Sequence, residues 1–210
     1  MAGTLYTYYR SGAAHRVRIA LALKGISYQS VPIHLVRGEQ LRPEYRAINP
    51  QARVPAFQLP SGEILLQSPA ILEYLEETAP KPPLLPADPI ARAKVRAVAA
   101  IIGCDIHPIN NVAVLNALRA LGQGPDAVQT WIADWINRGF TAVEQLIGAE
   151  DWCFGAGPGL ADIFLVPQIF SARRFKLDLA PYPRIRRIEA LAAAHPAFTA
   201  AAPEHQPDAE

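Results

Sequence analysis

Tyr8-Tyr9-Arg10-Ser11-Gly12-Ala13-Ala14-His15-Arg16-Val17-Arg18-Ile19-Ala20-Leu21 decides how the chain reads. An extended aromatic run over 5–9 meets Ser11-Gly12, and an Ala-rich helical pattern begins at once. A strand that feeds a helix through Ser-Gly leaves unbonded backbone N–H groups at the turn, beside the positive end of the helix dipole. Such a turn is a site for an anion, and we read that anion as a thiolate. Ser11 is also an ordinary helix N-cap, the commoner role for a serine in this place. No Ser/His/Asp set accompanies it, so a nucleophilic serine is not expected.

Outward from that turn, the helix spans 13–24 with Gly25 as its C-cap. A second strand follows at 28–33, then a polar stretch with a short helical piece at 44–48. Short strands at 56–59 and 64–66 are joined by Pro60-Ser61-Gly62-Glu63, a hairpin signal. Ser68 then reads as the N-cap of a third helix, with Pro69 at its first position. The order is βαβ followed by αββα, a small mixed sheet with helices. The proline-rich run at 81–89 is the best domain boundary. Beyond it the pattern is helical throughout, near 90–119, 126–148, 160–176 and 184–194. The tail from 203 is polar and reads as frayed. The expected domains are 1–80, a linker at 81–89, and an all-helical domain over 90–210.

With 210 residues, 50% of them hydrophobic and 19% charged, the chain is long enough for one large globular domain or two compact ones with their own cores. A formal net charge of +1 offers no basic field for nucleic acid or a membrane surface. Apolar runs are interrupted well short of a membrane span, and no secretory leader is expected. Cys104 and Cys153 form no C-x-x-C and read as two free buried thiols in a cytoplasmic protein.

Other stretches carry possible chemistry. In Arg53-Val54-Pro55, an X-Pro bond before a strand can aim the N–H and C=O of Val54 outward as an edge for an extended peptide. Gln67-Ser68, at a strand end opening a helix, can receive a carboxylate. Around Pro108, which should kink its helix, lie Asp105, His107, Asn110 and Asn111, and polar residues at a kink more often line a cleft than fill a core. One His and one Asp make a poor metal site, so no metal is expected. Arg173-Arg174 ends a buried helix, where Arg174 can hold a carboxylate by a bidentate pair.

Together these residues resemble the zeta-class glutathione transferases, in particular bacterial maleylacetoacetate and maleylpyruvate isomerases. The match runs through residues 10–21, Asn49-Pro50-Gln51 to Pro55, Gln67-Ser68-Pro69-Ala70-Ile71, Cys104 to Asn111, and Val166-Pro167-Gln168 to Phe175. The resemblance implies a thioredoxin-like N-terminal domain followed by an all-helical domain, the glutathione transferase fold. It implies glutathione as cofactor, with its sulfur at Ser11, its cysteine backbone paired to Val54 before a cis-Pro55, its γ-glutamyl carboxylate on Gln67 and Ser68, and its glycine end near Gln40. His107 and Asn111 would reach over from the second domain. Arg10 and Arg174 would hold the carboxylates of a small oxo-acid, and a homodimer is implied.

The implied reaction is cis–trans isomerisation of maleylacetoacetate to fumarylacetoacetate in aromatic amino acid breakdown, with glutathione as an unconsumed catalyst. The alternatives are maleylpyruvate as substrate, a transferase that conjugates or dehalogenates acidic electrophiles, and a non-catalytic glutathione-binding protein. Many zeta-class members read Ser-Ser-Cys-Ser at the key turn, where this chain has Ser11-Gly12-Ala13-Ala14. No protein thiol is therefore expected in the chemistry, and thiolate stabilisation falls to Ser11 and the amides of Gly12, Ala13 and Ala14. The usual Ser/Thr cap before Leu160 is Gly159, with Asp162 kept, so a weaker cap is expected there.

Overall fold

The computed structural model describes residues 2–210, which form two compact units. The first contains residues up to Pro83 together with Ala194–Glu210, and the second is Leu84–Ala193. The change of unit thus falls inside the proline-rich run. The first unit departs from the expected 1–80, because 194–210 groups with it.

The first unit is built on a four-stranded sheet in the order β2-β1-β3-β4. β1 (Gly3–Thr7) runs parallel to β2 (Tyr28–Pro32) and antiparallel to β3 (Ala56–Gln58), and β3 pairs antiparallel with β4 (Ile64–Leu66). α1 (Gly12–Leu23) is the crossover between the two parallel strands, as a parallel pair requires. Its residues from Ala14 to Leu21 are all buried, because the helix is covered by more than the sheet. α3 (Ser68–Thr78) packs on one flank and α9 (Pro196–Ala201) on another. Gly25 at φ 65° ends α1 in a Schellman motif, with Ile26 N bonded to Leu21 O at 2.9 Å and Gly25 N to Ala22 O at 3.2 Å. Lys24 then ties α1 to the run that leaves α3: its ammonium bonds Glu76 Oε2 at 2.9 Å, and the carbonyls of Ala79 and Pro82.

Two expectations need correction here. Ser68 is not the N-cap of α3. Gln67 takes that place with φ 68° and ψ 118°, and Ser68 and Pro69 are the first two helical residues. The tail is not frayed. α9 and a 3₁₀ turn at Pro203–His205 pack onto the first unit, and Gln206 is buried with its amide donating to Ala200 O and Ala202 O.

The second unit is helical: α4 (Pro89–Ala100), α5 (Val112–Ala120), α6 (Pro125–Leu146), α7 (Leu160–Arg174) and α8 (Pro183–Ala194, its last residue grouped with the first unit). The single helix expected over 90–119 is in fact broken. α4 runs into a π-helical stretch at Ile101–Ile106, where His107 N bonds Ile102 O, five residues back, at 3.0 Å. Pro108 has no N–H to continue any helix, so the chain turns and restarts at Val112. Ile102 and Ile106 on this stretch are fully buried, and a Cβ on Gly139 of α6 would overlap the Ile106 side chain. The wider π turn therefore packs against α6 only because that helix has glycine there.

α7 is buried along most of its length. Gly159 provides no side-chain cap, but Asp162 bonds Gly159 N at 2.9 Å and Cys153 N at 3.0 Å. A Cβ on Gly159 would stand 3.0 Å from Leu84 O, which accepts Leu160 N at 2.8 Å. The missing hydroxyl thus goes with a close backbone approach. The expectation of two buried thiols holds for Cys153 alone, since Cys104 is exposed. Among the described residues no helix is long and apolar enough to cross a membrane.

Candidate functional site

The strand register brings most of the expected site residues of the first unit to one sheet edge. Tyr6, Ala56 and Leu66 form one row across β1, β3 and β4. Two residues further along each chain direction lie Tyr8, Val54 and Ser68, so the Ser11 turn, the Val54-Pro55 bend and the start of α3 leave the same edge. β2 ends there too, because Thr7 pairs with Pro32. It feeds the 34–42 segment that carries Gln40.

Ser11 is the N-cap of α1, with φ −71° and ψ 112°, and its Oγ accepts Ala14 N at 3.2 Å. The hydroxyl proton is left to donate away from the helix. Ala14 N–H is committed to that bond, which corrects the expectation that three amides face an anion: Gly12 and Ala13 supply the unbonded N–H groups of the first turn. Arg10 is exposed, with its guanidinium carbon 4.9 Å from the centre of the Tyr9 ring.

The Val54–Pro55 bond is cis. Behind it, Arg53 O accepts Tyr45 Oη at 2.6 Å and Asn49 Nδ2 at 2.7 Å, which holds the bend in place. Val54 N–H and C=O make no hydrogen bond among the described residues. Gln67 sits at a positive φ that a side-chain-bearing residue adopts only at a cost, a sign of a functional constraint. Its amide bonds Gln51 Oε1, while Ser68 is buried at the N-terminus of α3. Gln40 lies in a 3₁₀ turn at Glu39–Leu41, with its Oε1 buried and without a partner among the described residues.

Three features of this unit went unread in the sequence. The hydroxyls of Tyr8 and Tyr9 are buried without a partner among the described residues, in one cluster with Tyr45 and Val54. Burial, reinforced by neighbouring Tyr9, pushes the Tyr8 phenol up, so it stays neutral. Arg18 is 1% exposed and spends its guanidinium on Thr7 Oγ1, Tyr8 O, Tyr9 O and Ala201 O. Burial lowers its pKa to about 10, so it remains charged at neutral pH. The signal was present: Arg18 is flanked by Val17 and Ile19, and the helix beyond it, Ile19 to Leu23, is wholly apolar, so it has little room to reach solvent. Asp208 is the third, and it accepts Tyr9 N at 3.0 Å.

His107, Asn111 and Arg174 belong to the second unit. His107 ends the π-helical stretch, and Trp131 Nε1 fastens the turn after it through Ile109 O at 3.2 Å. Asn111 is the N-cap of α5, yet its side chain makes no capping bond, although asparagine is a favoured cap. Both amide atoms of neighbouring Asn110 are buried without a partner among the described residues. At the end of α7 the two arginines divide. Arg173 makes a bidentate pair with Glu189, at 2.9 and 2.7 Å. Arg174 is exposed, with its guanidinium 4.6 Å from the centre of the Phe175 ring.

The first unit thus gathers groups that an extended peptide with an anionic group could use. Val54 offers an unbonded N–H and C=O, two helix N-termini face the same edge, and Gln40 holds an unpartnered buried oxygen.

Comparison with known proteins agrees with this geometry. Residues 1–77 match the glutathione S-transferase N-terminal domain, and residues 125–200 match the glutathione S-transferase C-terminal domain. The chain is 59% identical over 206 residues to the maleylacetoacetate isomerase of Pseudomonas aeruginosa, covering 97% of both chains. Its structure matches the holo structure of maleylpyruvate isomerase, a bacterial zeta-class glutathione S-transferase, with TM-score 0.95 and 48% identity over 99% of this chain and 100% of that one. It also matches the maleylacetoacetate isomerase of Anaeromyxobacter dehalogenans with glutathione bound, with TM-score 0.91 and 43% identity over 100% of this chain and 98% of that one. The chain belongs to the glutathione S-transferase family, within its zeta class.

Proposed function

We propose that this chain is a glutathione-dependent cis–trans isomerase of a maleyl oxo-acid, converting maleylacetoacetate to fumarylacetoacetate. The observation that carries the reading is the Ser11 turn: a hydroxyl that accepts from Ala14 N keeps its own proton to donate, beside the amides of Gly12 and Ala13. When bound, glutathione supplies a thiolate that adds reversibly to the conjugated double bond and so lets that bond turn.

The chain's residues bind, orient and stabilise. Ser11 Oγ–H, the two free amides and the α1 dipole favour sulfur in its charged form. Val54 pairs with the cysteinyl backbone as a strand edge would. The backbone of Gln67 and Ser68, at the start of α3, receives the γ-glutamyl carboxylate. Gln40 takes the glycine end, and His107 and Asn111 add side-chain contacts from the helical unit. Arg10 and Arg174 hold the substrate carboxylates and offset the charge that develops on its oxygen. Holding both ends limits which rotation is productive.

Maleylacetoacetate is preferred over maleylpyruvate because a relative named for it is 59% identical, against 49% for a relative named maleylpyruvate isomerase. A cytoplasmic location and a two-fold homodimer complete the proposal. The location rests on the cysteine usage, the dimer on the resemblance, and sedimentation tests the dimer. The deciding assay gives purified protein each compound with glutathione present. Faster turnover of maleylacetoacetate supports the reading, preference for maleylpyruvate overturns the substrate, and failure with both overturns the function.

A further inference from the structure

The peptide groups on either side of Tyr9 are held from both directions. The peptide joining Tyr8 to Tyr9 donates its N–H to Asp208 Oδ2 at 3.0 Å. Its carbonyl, Tyr8 O, accepts Ser11 N at 2.9 Å and lies 3.4 Å from Arg18 Nη1. The next carbonyl, Tyr9 O, accepts Arg18 Nη2 at 3.1 Å. Two consecutive peptide planes are thereby set, and with them the direction of the chain into Arg10 and the N–H of Ser11. Donation to a carboxylate also polarises the peptide and strengthens Tyr8 O as the acceptor for Ser11 N.

The carboxylate comes from a sequence-distant segment. Arg18 Nε donates to Ala201 O at 3.0 Å, which ties α9 to α1. Two residues beyond Asp208, Glu210 Oε1 lies 3.0 Å from both His34 Nε2 and Arg37 Nη2. His34 and Arg37 open the segment that carries Gln40, so 203–210 touches both the Ser11 turn and the approach to Gln40.

We propose that Asp208 is a positioning residue: through the N–H of Tyr9 it sets the turn that presents Ser11, and so the degree to which Ser11 holds bound glutathione as thiolate. This rests on the glutathione reading above. Asp208 touches neither glutathione nor substrate in this role. Its effect passes through the 8–9 peptide.

The test compares wild type with Asp208→Ala and Asp208→Asn. Without glutathione, backbone amide exchange by NMR should show lost protection at Tyr9 and Ser11 in Asp208→Ala. With glutathione, the pH titration of thiolate absorbance should move up by about one unit in that variant, and kcat should fall about tenfold with a small change in KM. Asp208→Asn keeps an oxygen that can accept from Tyr9 N, and it should stay within about threefold of wild type. Unchanged protection, or an unchanged thiol titration in Asp208→Ala, would overturn the proposal, as would an asparagine variant no better than alanine. A wild-type chain that binds no glutathione would defeat the proposed function. The exchange comparison would still decide whether Asp208 holds the turn.

Discussion

Ser11 Oγ stands 3.2 Å from Ala14 N, so one hydroxyl caps α1 and keeps a proton for a ligand. The two roles separate on mutation. In Ser11→Ala the lost cap should cost about 1 kcal/mol of stability. The lost donor should cost about a hundredfold in kcat, within the range for removing one preorganised donor to a developing charge. Glutathione affinity should change little, since the peptide backbone contacts remain. Calorimetry of glutathione binding beside steady-state kinetics makes the split visible, and a variant with wild-type kcat reduces Ser11 to a cap.

The arginines that end α7 should behave differently despite their adjacency. Arg173 is paired with Glu189 at the surface, so Arg173→Ala should cost at most about 1 kcal/mol of stability and leave kinetics intact. Arg174→Ala should lower kcat/KM by about ten- to a hundredfold, the worth of a charged hydrogen bond. Kinetics of the two variants side by side check this; equal effects would remove Arg174 from the site.

His15, four residues after Ser11, is only 3% exposed, and neither ring nitrogen has a hydrogen bond among the described residues. Burial first, then the charges of Arg18 and Arg16, holds its pKa well below the ordinary 6.5. The unfolded chain binds a proton below that value while the folded chain does not. Stability is therefore complete above pH 6.5 and lost as pH falls, at about 1.4 kcal/mol per unit for this group. Denaturant unfolding between pH 7 and pH 5 should show a steeper loss in wild type than in His15→Phe. Parallel curves would mean that His15 is not buried neutral.

Gly139 faces the fully buried Ile106 where a Cβ would overlap it. Gly139→Ala should lose about 1–3 kcal/mol to overpacking, less up to about 1 kcal/mol regained in helix propensity. Ile106→Val in the same background should recover part of the loss, a comparison that equilibrium unfolding of the single and double variants makes directly.

What could be read in advance follows from where each signal resides. Ser11-Gly12, Gly25 and the Pro60–Glu63 turn are local chemistry, and each marks its element within a residue or two. Gln67 displaced the expected Ser68 cap by one position because a positive φ leaves no mark in a non-glycine residue. The π-helical stretch looked like continuous helix, since only the pairing of Ile106 with Gly139, thirty-three positions apart, reveals it. The stretch from 203 reads as a polar tail because its anchors, Tyr9, His34 and Arg37, lie at the other end of the chain. Local pattern cannot report a hydrogen bond between residues 9 and 208.

The central claim is that glutathione is needed and not consumed, and a single measurement addresses both halves. Maleylacetoacetate is offered to the purified protein with glutathione at about one hundredth of the substrate concentration, and free thiol is counted at the end. The account predicts complete conversion to the trans isomer with all of the thiol recovered, and no conversion when glutathione is omitted. Conversion that stops after one substrate per glutathione, with thiol lost, would contradict it.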